Sequence, residues 1–285
     1  MIYLKSFIFP NEDLEFEFFM DIRRTCYDSF YPFKILSGNG FERIDFEPVT
    51  IFYGGNGSGK STALNIIAEK TGINRDSIYN KSNFFADYVN MCGMKTAGNS
   101  LPGNSSIITS DDVFDYLLNI RSLNEGIDKK REELFDEYLY LKYSQYQIKS
   151  IEDYEHLKKV NSSRSKTQSR FVRNELMDNV REYSNGESAF RYFTEKIGEN
   201  GLYLLDEPEN SLSPKRQLEL MKFIEDSARL MGCQFVISTH SPFLLSMNGA
   251  KIYDLDENPV NVKRWTELEN VRIFYEFFKK FEGEF

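Results

Sequence analysis

The feature that most constrains this chain is a glycine-rich stretch between a strand-like run and a helix-like run. Residues 51–67 read IFYGGNGSGKSTALNII and match G-x-x-x-x-G-K-[ST] through Gly54, Gly59, Lys60 and Ser61. The preceding VTIFY is β-branched and aromatic, which predicts a buried strand, and the following apolar residues have helical spacing. This strand–loop–helix context favours a phosphate-binding loop over an ordinary glycine turn.

Such a loop holds phosphate through its backbone and through the helix that follows. Glycines let successive N–H groups turn inward, and the helix opening at Lys60 directs its positive end to the same point. We expect Lys60 to reach the β- and γ-phosphates and the Ser61 hydroxyl to coordinate Mg²⁺. The predicted nucleotide-binding residues are Gly54, Asn56, Gly57, Ser58, Gly59, Lys60, Ser61 and Thr62.

A second stretch, GLYLLDEPENSLSP at residues 201–214, supplies acids at the end of a strand. Residues 202–205 are apolar and predict a buried parallel strand, and ligands bind at the carboxyl ends of such strands. We expect Asp206 to orient Mg²⁺ or its waters, and Glu207 to polarise the attacking water. The alternative is a pair of surface acids capping a strand, but such pairs rarely follow four apolar residues.

A third stretch, CQFVISTHSPFLL, repeats the same arrangement with a histidine. Residues 235–237 predict a buried strand, and His240 follows its end, where the imidazole can donate a hydrogen bond to the γ-phosphate. Glu207 and His240 are therefore the predicted catalytic residues. A lone histidine is more often structural, which is the interpretation for His156 in a charged helical segment.

The stretch EYSNGESAFRYF lies just before the acidic strand. Its helix begins near Glu187, so Ser184, Asn185, Gly186 and Glu187 form a second helix start that could bind an anion. One nucleotide does not need two such cradles on one chain. Taken alone, these residues favour an ordinary helix N-cap.

With these elements in order, the chain resembles the ABC ATPase superfamily, and its soluble SMC- and RecF-type members more than transporter subunits. GGNGSGKST resembles Walker A, SNGES the signature, LYLLDEP Walker B, NSLSP the D-loop and STHSP the switch-histidine segment. The resemblance implies an α/β P-loop NTPase fold of the ABC ATPase-head type. That fold has a mixed sheet, N-terminal antiparallel strands and a short helical insertion.

The resemblance also implies a reaction and an assembly. In the family two heads enclose two ATP molecules, and each signature contacts the nucleotide held by the other chain. Residues 184–187 are then expected to act in trans, which explains the second cradle. The implied cofactors are ATP and Mg²⁺, the reaction is hydrolysis to ADP and phosphate, and the assembly is a head-to-tail homodimer formed on ATP binding.

Two features depart from the pattern of transporter subunits. The signature is SNGES where those subunits usually have LSGGQ, and the D-loop ends at Pro214 where they have aspartate. No Q-loop glutamine is evident either. Asp87, Ser110 and Asp111 are the candidates for that position.

The motifs divide the chain into three predicted segments. Residues 1–110 carry Walker A, residues 111–175 form a helical arm and a basic loop, and residues 176–285 carry the remaining motifs. In the first segment we predict antiparallel strands at IYLKSFIF, LEFEFFMDI and FERIDFEPVTIFY. The arm is predicted to begin with Ser110 or Asp111 as its helix cap.

The arm has apolar residues every seven positions between residues 120 and 148, but polar residues interrupt the intermediate positions. This pattern predicts a short helix of at most about 50 Å rather than a long dimeric coiled coil. Cations then recur among serines in residues 158–173. They predict either a DNA or RNA phosphate contact or a solvated loop, and the sequence leaves both open. These cations are Lys158, Lys159, Arg164, Lys166, Arg170 and Arg173.

Composition limits the environment and the partners. The net charge of −9 argues against a basic coat over the whole surface. There is no run of eighteen apolar residues, and charges interrupt the N-terminal stretch, so we expect a cytoplasmic protein without a membrane partner. Three widely spaced cysteines predict reduced thiols rather than disulfides or a zinc site.

The leading functional hypothesis is a cytoplasmic Mg²⁺-dependent ATPase. Its link to a nucleic-acid process, such as DNA repair or phage defence, follows from the family resemblance alone. One alternative is a non-hydrolytic switch in which ATP assembles a partner effector protein, such as a toxin or nuclease. Another is the nucleotide-binding subunit of an ABC transporter, which the signature and D-loop disfavour.

Overall fold

Parallel strand pairing organises the larger part of the chain. In a computed structural model, which describes residues 1–23, 26–27, 29–144, 154–180 and 184–284, strands form one sheet in the order β5-β6-β7-β3-β8-β9 and another in the order β2-β1-β4. The strands are β1 (Leu4–Ile8), β2 (Arg43–Asp45), β3 (Val49–Tyr53), β4 (Gly93–Thr96), β5 (Ser106–Thr109), β6 (Leu202–Asp206), β7 (Gln234–Ser238), β8 (Lys251–Asp254) and β9 (Asn261–Lys263).

The helices lie between these strands along the chain. They are α1 (Glu12–Asp21), α2 (Lys60–Thr71), α3 (Phe85–Met91), α4 (Ser110–Tyr143), α5 (Tyr154–Ser165), α6 (Gln168–Glu175), α7 (Asn185–Lys196), α8 (Pro214–Leu230), α9 (Pro242–Leu245) and α10 (Glu269–Lys280). The chain forms two compact units, one of residues 1–114 with 185–285 and one of residues 115–184. The three-segment division with boundaries at 110 and 175 stays a prediction.

The larger sheet is parallel except at one edge. Strands β5, β6, β7, β3 and β8 pair in parallel, and β9 pairs antiparallel with β8. Every residue of β3 and β7 is buried, as the apolar runs at these positions predict. The mixed sheet and its buried central strands confirm the predicted α/β fold class.

The smaller sheet confirms the prediction of antiparallel N-terminal strands only in part. Strand β1 pairs antiparallel with β2 and β4, but β3 belongs to the parallel sheet. The predicted strand in LEFEFFMDI is wrong, because these residues form α1. The Asn11 side chain caps this helix by accepting from Leu14 N–H at 3.0 Å, and acids in the first turn favour the positive helix end.

Aromatic and aliphatic side chains fill the core between the sheets and α2. Phe7, Phe41, Phe52, Leu64 and Phe84 are at most 2% exposed and belong to one cluster. Helix α2, which follows the phosphate-binding loop, buries most of its residues on this core. The core therefore fixes the strand and the helix on both sides of that loop.

The predicted start of the arm is right, but its predicted cap is wrong. Helix α4 begins at Ser110, and the Thr109 hydroxyl accepts from Asp112 N–H at 3.3 Å. The Asp112 carboxylate in turn accepts from Thr109 N–H at 2.7 Å. Thr109 is therefore the cap, in a reciprocal capping arrangement. The helical arm is confirmed as far as Tyr143, and residues 145–153 lie outside the described ones.

The predicted basic loop at residues 158–173 is wrong as a loop. These residues form much of α5 and α6. The cations and serines of this stretch did not indicate these helices. Apolar side chains from α4, α5 and α6 share a buried cluster, which stabilises helices over a loop. The cluster consists of Leu134, Tyr138, Leu141, Val160, Phe171 and Val172.

The C-terminal part of the chain forms β8, β9 and the aromatic-rich helix α10. Val271 is buried, whereas several large apolar residues on α10 are exposed. These exposed residues are Ile273, Phe274, Tyr275, Phe277 and Phe278.

Candidate functional site

The carboxyl ends of neighbouring strands bring the predicted motifs to one edge of the sheet. Asp206 at the end of β6 lies opposite Ser238 at the end of β7, and Ser238 lies opposite Phe52 near the end of β3. Because β3 continues into the glycine loop, the acids of the second motif reach the first. This edge is where ligands bind in open parallel sheets.

The glycine loop has a backbone conformation in which residues other than glycine would be strained. Gly57 and Gly59 have φ angles of +86° and +94°, in the left-handed region that favours glycine. A Cβ at Gly59 would also lie 2.8 Å from Leu36 Cδ2, whereas one at Gly57 would have open space. The Ser58 hydroxyl is buried and has no hydrogen-bond partner in the described residues, so a donor is left for an anion.

Lys60 lies where a phosphate-binding lysine is needed. Its side chain is only 4% exposed, and Nζ donates to the carbonyl oxygens of Gly54 at 2.7 Å and Gly55 at 3.0 Å. Nζ is also 3.9 Å from Glu207 Oε1. Because this ammonium group is buried beside the loop, it can exchange these carbonyl partners for the oxygens of a phosphate without moving through bulk solvent.

Ser61 and Asp206 meet across the two motifs. Ser61 Oγ donates to Asp206 Oδ1 at 2.9 Å, and the Ser238 hydroxyl donates to the same oxygen. Burial raises the pKa of the Asp206 carboxyl above its ordinary value, although both hydrogen bonds act in the opposite direction. The pair therefore offers two oxygen ligands close together in a partly buried place.

These two oxygens suit a Mg²⁺ ion that also binds a nucleotide, rather than a metal ion whose ligands all come from the protein. Mg²⁺ prefers oxygen ligands and in nucleotide sites keeps waters and phosphate oxygens beside one or two carboxylates. Within the described ranges, no group of three or more His, Cys, Asp or Glu side chains is arranged to hold a metal ion. Ser61 and Asp206 would thus hold the ion jointly with a bound nucleotide.

Glu207 is held at the end of β6 in an unusual backbone conformation. Its φ is +47°, and its N–H donates to the carbonyl oxygen of Ser238 at 3.0 Å. Asn210 Nδ2 donates to Glu207 Oε2 at 3.0 Å, and the side chain remains 25% exposed. Left-handed backbone at a non-glycine residue is typical of functional positions, and here it aims a carboxylate toward Lys60.

His240 faces two carboxylates. Its Nδ1 is 3.9 Å from Glu207 Oε1 and 3.7 Å from Glu209 Oε1, and its side chain is 43% exposed. The structure therefore brings together the predicted residues Lys60, Ser61, Asp206, Glu207 and His240. Their individual roles stay predictions.

The signature residues lie at the start of α7. Ser184 is exposed immediately before the helix, and Asn185, Gly186 and Glu187 form its first turn. A Cβ at Gly186 would lie 3.5 Å from the carbonyl oxygen of Ser211 in the D-loop segment. The close approach of helix and D-loop is thus a property of one chain, and action in trans stays a prediction.

The three sequence candidates for the Q-loop position differ in their surroundings. Asp87 and Asp111 are exposed, whereas Ser110 directly follows Thr109, which pairs with Asp206 in the sheet. Sequence reasoning missed Thr109 and its partner Asp112. A threonine ending a buried strand, followed three residues later by an acid, is the signal that could have identified them.

Sequence reasoning also missed three polar residues around the acids and the histidine. Ser238 was detectable as the polar end of a buried strand. Glu209 lies two residues beyond Glu207, but only the fold brings its side chain into contact with the segment that contains His240. Asn270 comes from a distant helix and has no local sequence signal.

In the part of the chain that the structure describes, no helix has both the length and the apolar composition needed to span a bilayer.

Comparison with protein families gives two matches. Residues 43–210, more than half of the chain, match the family model described as "ABC transporter". Residues 179–246 match a model described as "AAA domain, putative AbiEii toxin, Type IV TA system". No curated protein matches the chain.

Among solved structures, the chain is similar to two SMC head domains and to an ABC transporter cassette. The SMC head domain from Thermotoga maritima is 12% identical, with 92% of this chain and 99% of that chain covered and a TM-score of 0.38. The Smc head domain from Pyrococcus furiosus is 13% identical, with coverage of 97% and 100% and a TM-score of 0.43. A bacterial ABC transporter cassette in a dimeric structure is 15% identical, with coverage of 79% and 90% and a TM-score of 0.38.

At such low identities and TM-scores, these structures do not decide the family. The assignment rests on the match over residues 43–210, which includes both the glycine loop and the acidic strand. The chain therefore belongs to the family that the ABC transporter model describes, the ABC-type ATPases.

Proposed function

We propose that this protein is a Mg²⁺-dependent ATPase that hydrolyses ATP to ADP and phosphate between two copies of the chain. The observation that carries the proposal is the meeting of Lys60, Ser61, Asp206, Glu207 and His240 at one sheet edge. Each of these residue types has a task in phosphoryl transfer to water. The alternative of a surface acid pair does not account for their convergence.

The residues of the loop bind and orient the triphosphate. Backbone N–H groups of the loop and the start of α2 donate to phosphate oxygens, and Lys60 adds a positive charge. Ser61 and Asp206 would hold Mg²⁺, which would supply positive charge to offset that of the phosphates. Asp206 is partly buried, which limits competition by water for this site.

Glu207 and His240 act on the reacting end. Glu207 accepts a proton from the water whose oxygen forms the new bond to the γ-phosphorus, while the bond to the bridging β–γ oxygen breaks. His240 donates a hydrogen bond to a γ-phosphate oxygen and stabilises the charge that develops there. The Lys60 ammonium, 3.9 Å from Glu207, lies close to the same centre.

The second copy completes the site in this proposal. Ser184, Asn185, Gly186 and Glu187 of one chain contact the nucleotide on the loop of the other. The exposure of Ser184 and the helix start that follows it support such a contact, because a helix N-terminus binds anions. The homodimer is therefore expected to form on ATP binding.

Three processes are candidates for the use of ATP by this chain. The first is a nucleic-acid-linked process, for which the cations of α5 and α6 are the candidate contact with DNA or RNA. The second is a non-hydrolytic switch in which ATP assembles an effector protein, which the toxin named in the description of the second family model favours. The third is transport, which the name of the larger family model favours and the SNGES signature disfavours.

The primary test measures ATP binding and phosphate release for wild type and Lys60→Ala. We expect wild type to bind and hydrolyse ATP with Mg²⁺, and Lys60→Ala to lose binding because the loop loses its buried cation. Wild-type affinity in the variant, measured by titration calorimetry, would contradict the assignment. Co-purification of an effector protein, or of nucleic acid, then separates the three processes.

A further inference from the structure

The main chain of His240 is held from two sides by residues that the sequence motifs do not include. On one side, His240 N–H donates to Glu209 Oε1 at 2.9 Å. On the other side, Asn270 Nδ2 donates to the His240 carbonyl oxygen at 2.6 Å. The N–H and the carbonyl oxygen of His240 are therefore both fixed by side chains from distant parts of the chain.

Glu209 binds the whole His240 turn, which consists of residues 239–241 between β7 and α9. Its Oε1 also accepts from Thr239 Oγ1 at 2.6 Å and from Ser241 N–H at 3.2 Å. The residue is only 6% exposed, so these are charge-assisted hydrogen bonds with little competition from water. A carboxylate at this position thus fixes three successive residues of the turn.

Asn270 connects the same turn to the strand before the phosphate loop. It lies in the first turn of α10, and its own N–H donates to the Tyr53 hydroxyl at 3.0 Å. Tyr53 is the last residue of β3, which leads directly into the loop. Asn270 therefore bridges the start of the phosphate loop and the His240 turn.

The direction of the His240 ring depends on this support. The ring is 43% exposed, and the carboxylate oxygens near its Nδ1 are at 3.7 and 3.9 Å, beyond hydrogen-bond distance. A side chain with such weak contacts takes its direction from the backbone that carries it. Small errors in that direction cost much activity, since a displacement of about 1 Å can slow a reaction about 10²-fold.

We propose that Glu209 and Asn270 are positioning residues that hold the His240 main chain so that its imidazole faces the reacting phosphate. The inference rests on the proposed ATP hydrolysis, because it assigns the two residues a task in that reaction. It also makes the first turn of α10 part of the support of the nucleotide site. Neither residue touches the nucleotide in this proposal.

The test asks whether both residues act through His240. Asn270→Asp keeps the size of the side chain but replaces the donor by an oxygen, and we expect kcat to fall about 10- to 100-fold with KM for ATP changed less than about twofold. In a His240→Ala background the same substitution should lower kcat no further. An equal fold-loss in both backgrounds would overturn the proposal, since the residue would then act independently of the histidine.

The Glu209 variants separate the hydrogen bonds from the fold. Glu209→Gln keeps an acceptor oxygen, so it should retain more activity than Glu209→Ala, and both losses should vanish in the His240→Ala background. Glu276→Gln, an exposed change on α10, serves as the matched control and should leave kcat unchanged. Equal activity of the Gln and Ala variants would show that the acceptor at Glu209 is not needed.

A second measurement does not require turnover. The chain has two histidines, His156 and His240, so histidine-labelled protein gives a simple ¹H–¹³C spectrum that a His156→Gln variant assigns. Asn270→Asp and Glu209→Gln should move the His240 resonances and leave those of His156 in place. Unmoved His240 resonances in both variants would overturn the proposed support. A wild type without ATP turnover would refute the proposed function, and the spectra would still decide whether the two residues hold His240.

Discussion

The Ser61 hydroxyl donates a hydrogen bond of 2.9 Å to a carboxylate oxygen of Asp206, across a sequence separation of 145 residues. This bond joins the helix start after the glycine loop to the end of the acidic strand. Parallel pairing of β6, β7 and β3 makes it possible, because it aligns their carboxyl ends. The two metal-ligating residues predicted from separate motifs are therefore already in contact.

The glycine loop allows a matched test of backbone strain. Gly57→Ala and Gly59→Ala both place a side chain in the left-handed region, at a cost of about 1–2 kcal/mol. Gly59→Ala also brings Cβ to 2.8 Å from Leu36 Cδ2, and such overpacking costs about 1–3 kcal/mol more. Urea unfolding without nucleotide should therefore show the larger loss of unfolding free energy for Gly59→Ala. Equal losses would contradict the packing of this loop on Leu36.

The thiols offer a test of burial. Cys26 is exposed, whereas Cys92 and Cys233 are buried, and burial raises the pKa of the Cys92 thiol to about 12 and that of Cys233 above its ordinary value. The thiolate is the reactive form, so raised pKa values slow reaction further at neutral pH. A chromogenic disulfide reagent should find one fast thiol in the native protein and three in denaturant. Cys26→Ser should abolish the fast reaction, and a remaining fast thiol would contradict this arrangement.

Sequence reasoning predicted the sheet edge that carries the candidate site, because the information for that edge is local. A glycine loop between a strand and a helix, and acids after four apolar residues, each specify chemistry and position together. The same holds for β7 and His240. Parallel strands then bring these ends together without further information from side chains.

What the sequence did not reveal depends on contacts between distant segments. The alternating pattern before Phe18 suggested a strand, but the Asn11 cap and packing on the aromatic core produce α1. The cations of residues 158–173 suggested a loop, but Phe171 and Val172 form a cluster with α4. Asn270 illustrates the same limit, since nothing near it in sequence indicates His240 as its partner.

The helices α5 and α6 provide a test for nucleic acid binding. We expect single-stranded DNA or RNA to bind at low salt and to dissociate steeply as salt rises, because released counterions drive binding. Reversing the charges of Arg164, Lys166 and Arg170 to Glu should weaken binding and flatten the salt dependence in fluorescence anisotropy. Lys158 and Lys159 are left unchanged, because they already pair with Glu155 and Glu137.

The control for this series reverses the same number of charges elsewhere. Lys5, Lys95 and Lys279 are exposed and lie outside residues 115–184, so their reversal to Glu changes net charge equally. We expect this control to retain most of the binding. The nucleic-acid candidate is wrong if both variants bind alike, or if wild type does not bind at low salt.

The central claim, hydrolysis between two heads, is tested most directly by the mass of Glu207→Gln with ATP and Mg²⁺. The substitution keeps the size of the side chain but removes the base, so turnover should slow by about 10²- to 10⁴-fold while ATP binding survives. Light scattering should then show an ATP-dependent dimer that is lost when Ser184→Trp is added. Normal turnover in the Gln variant, or an unchanged mass with ATP bound, would contradict the account.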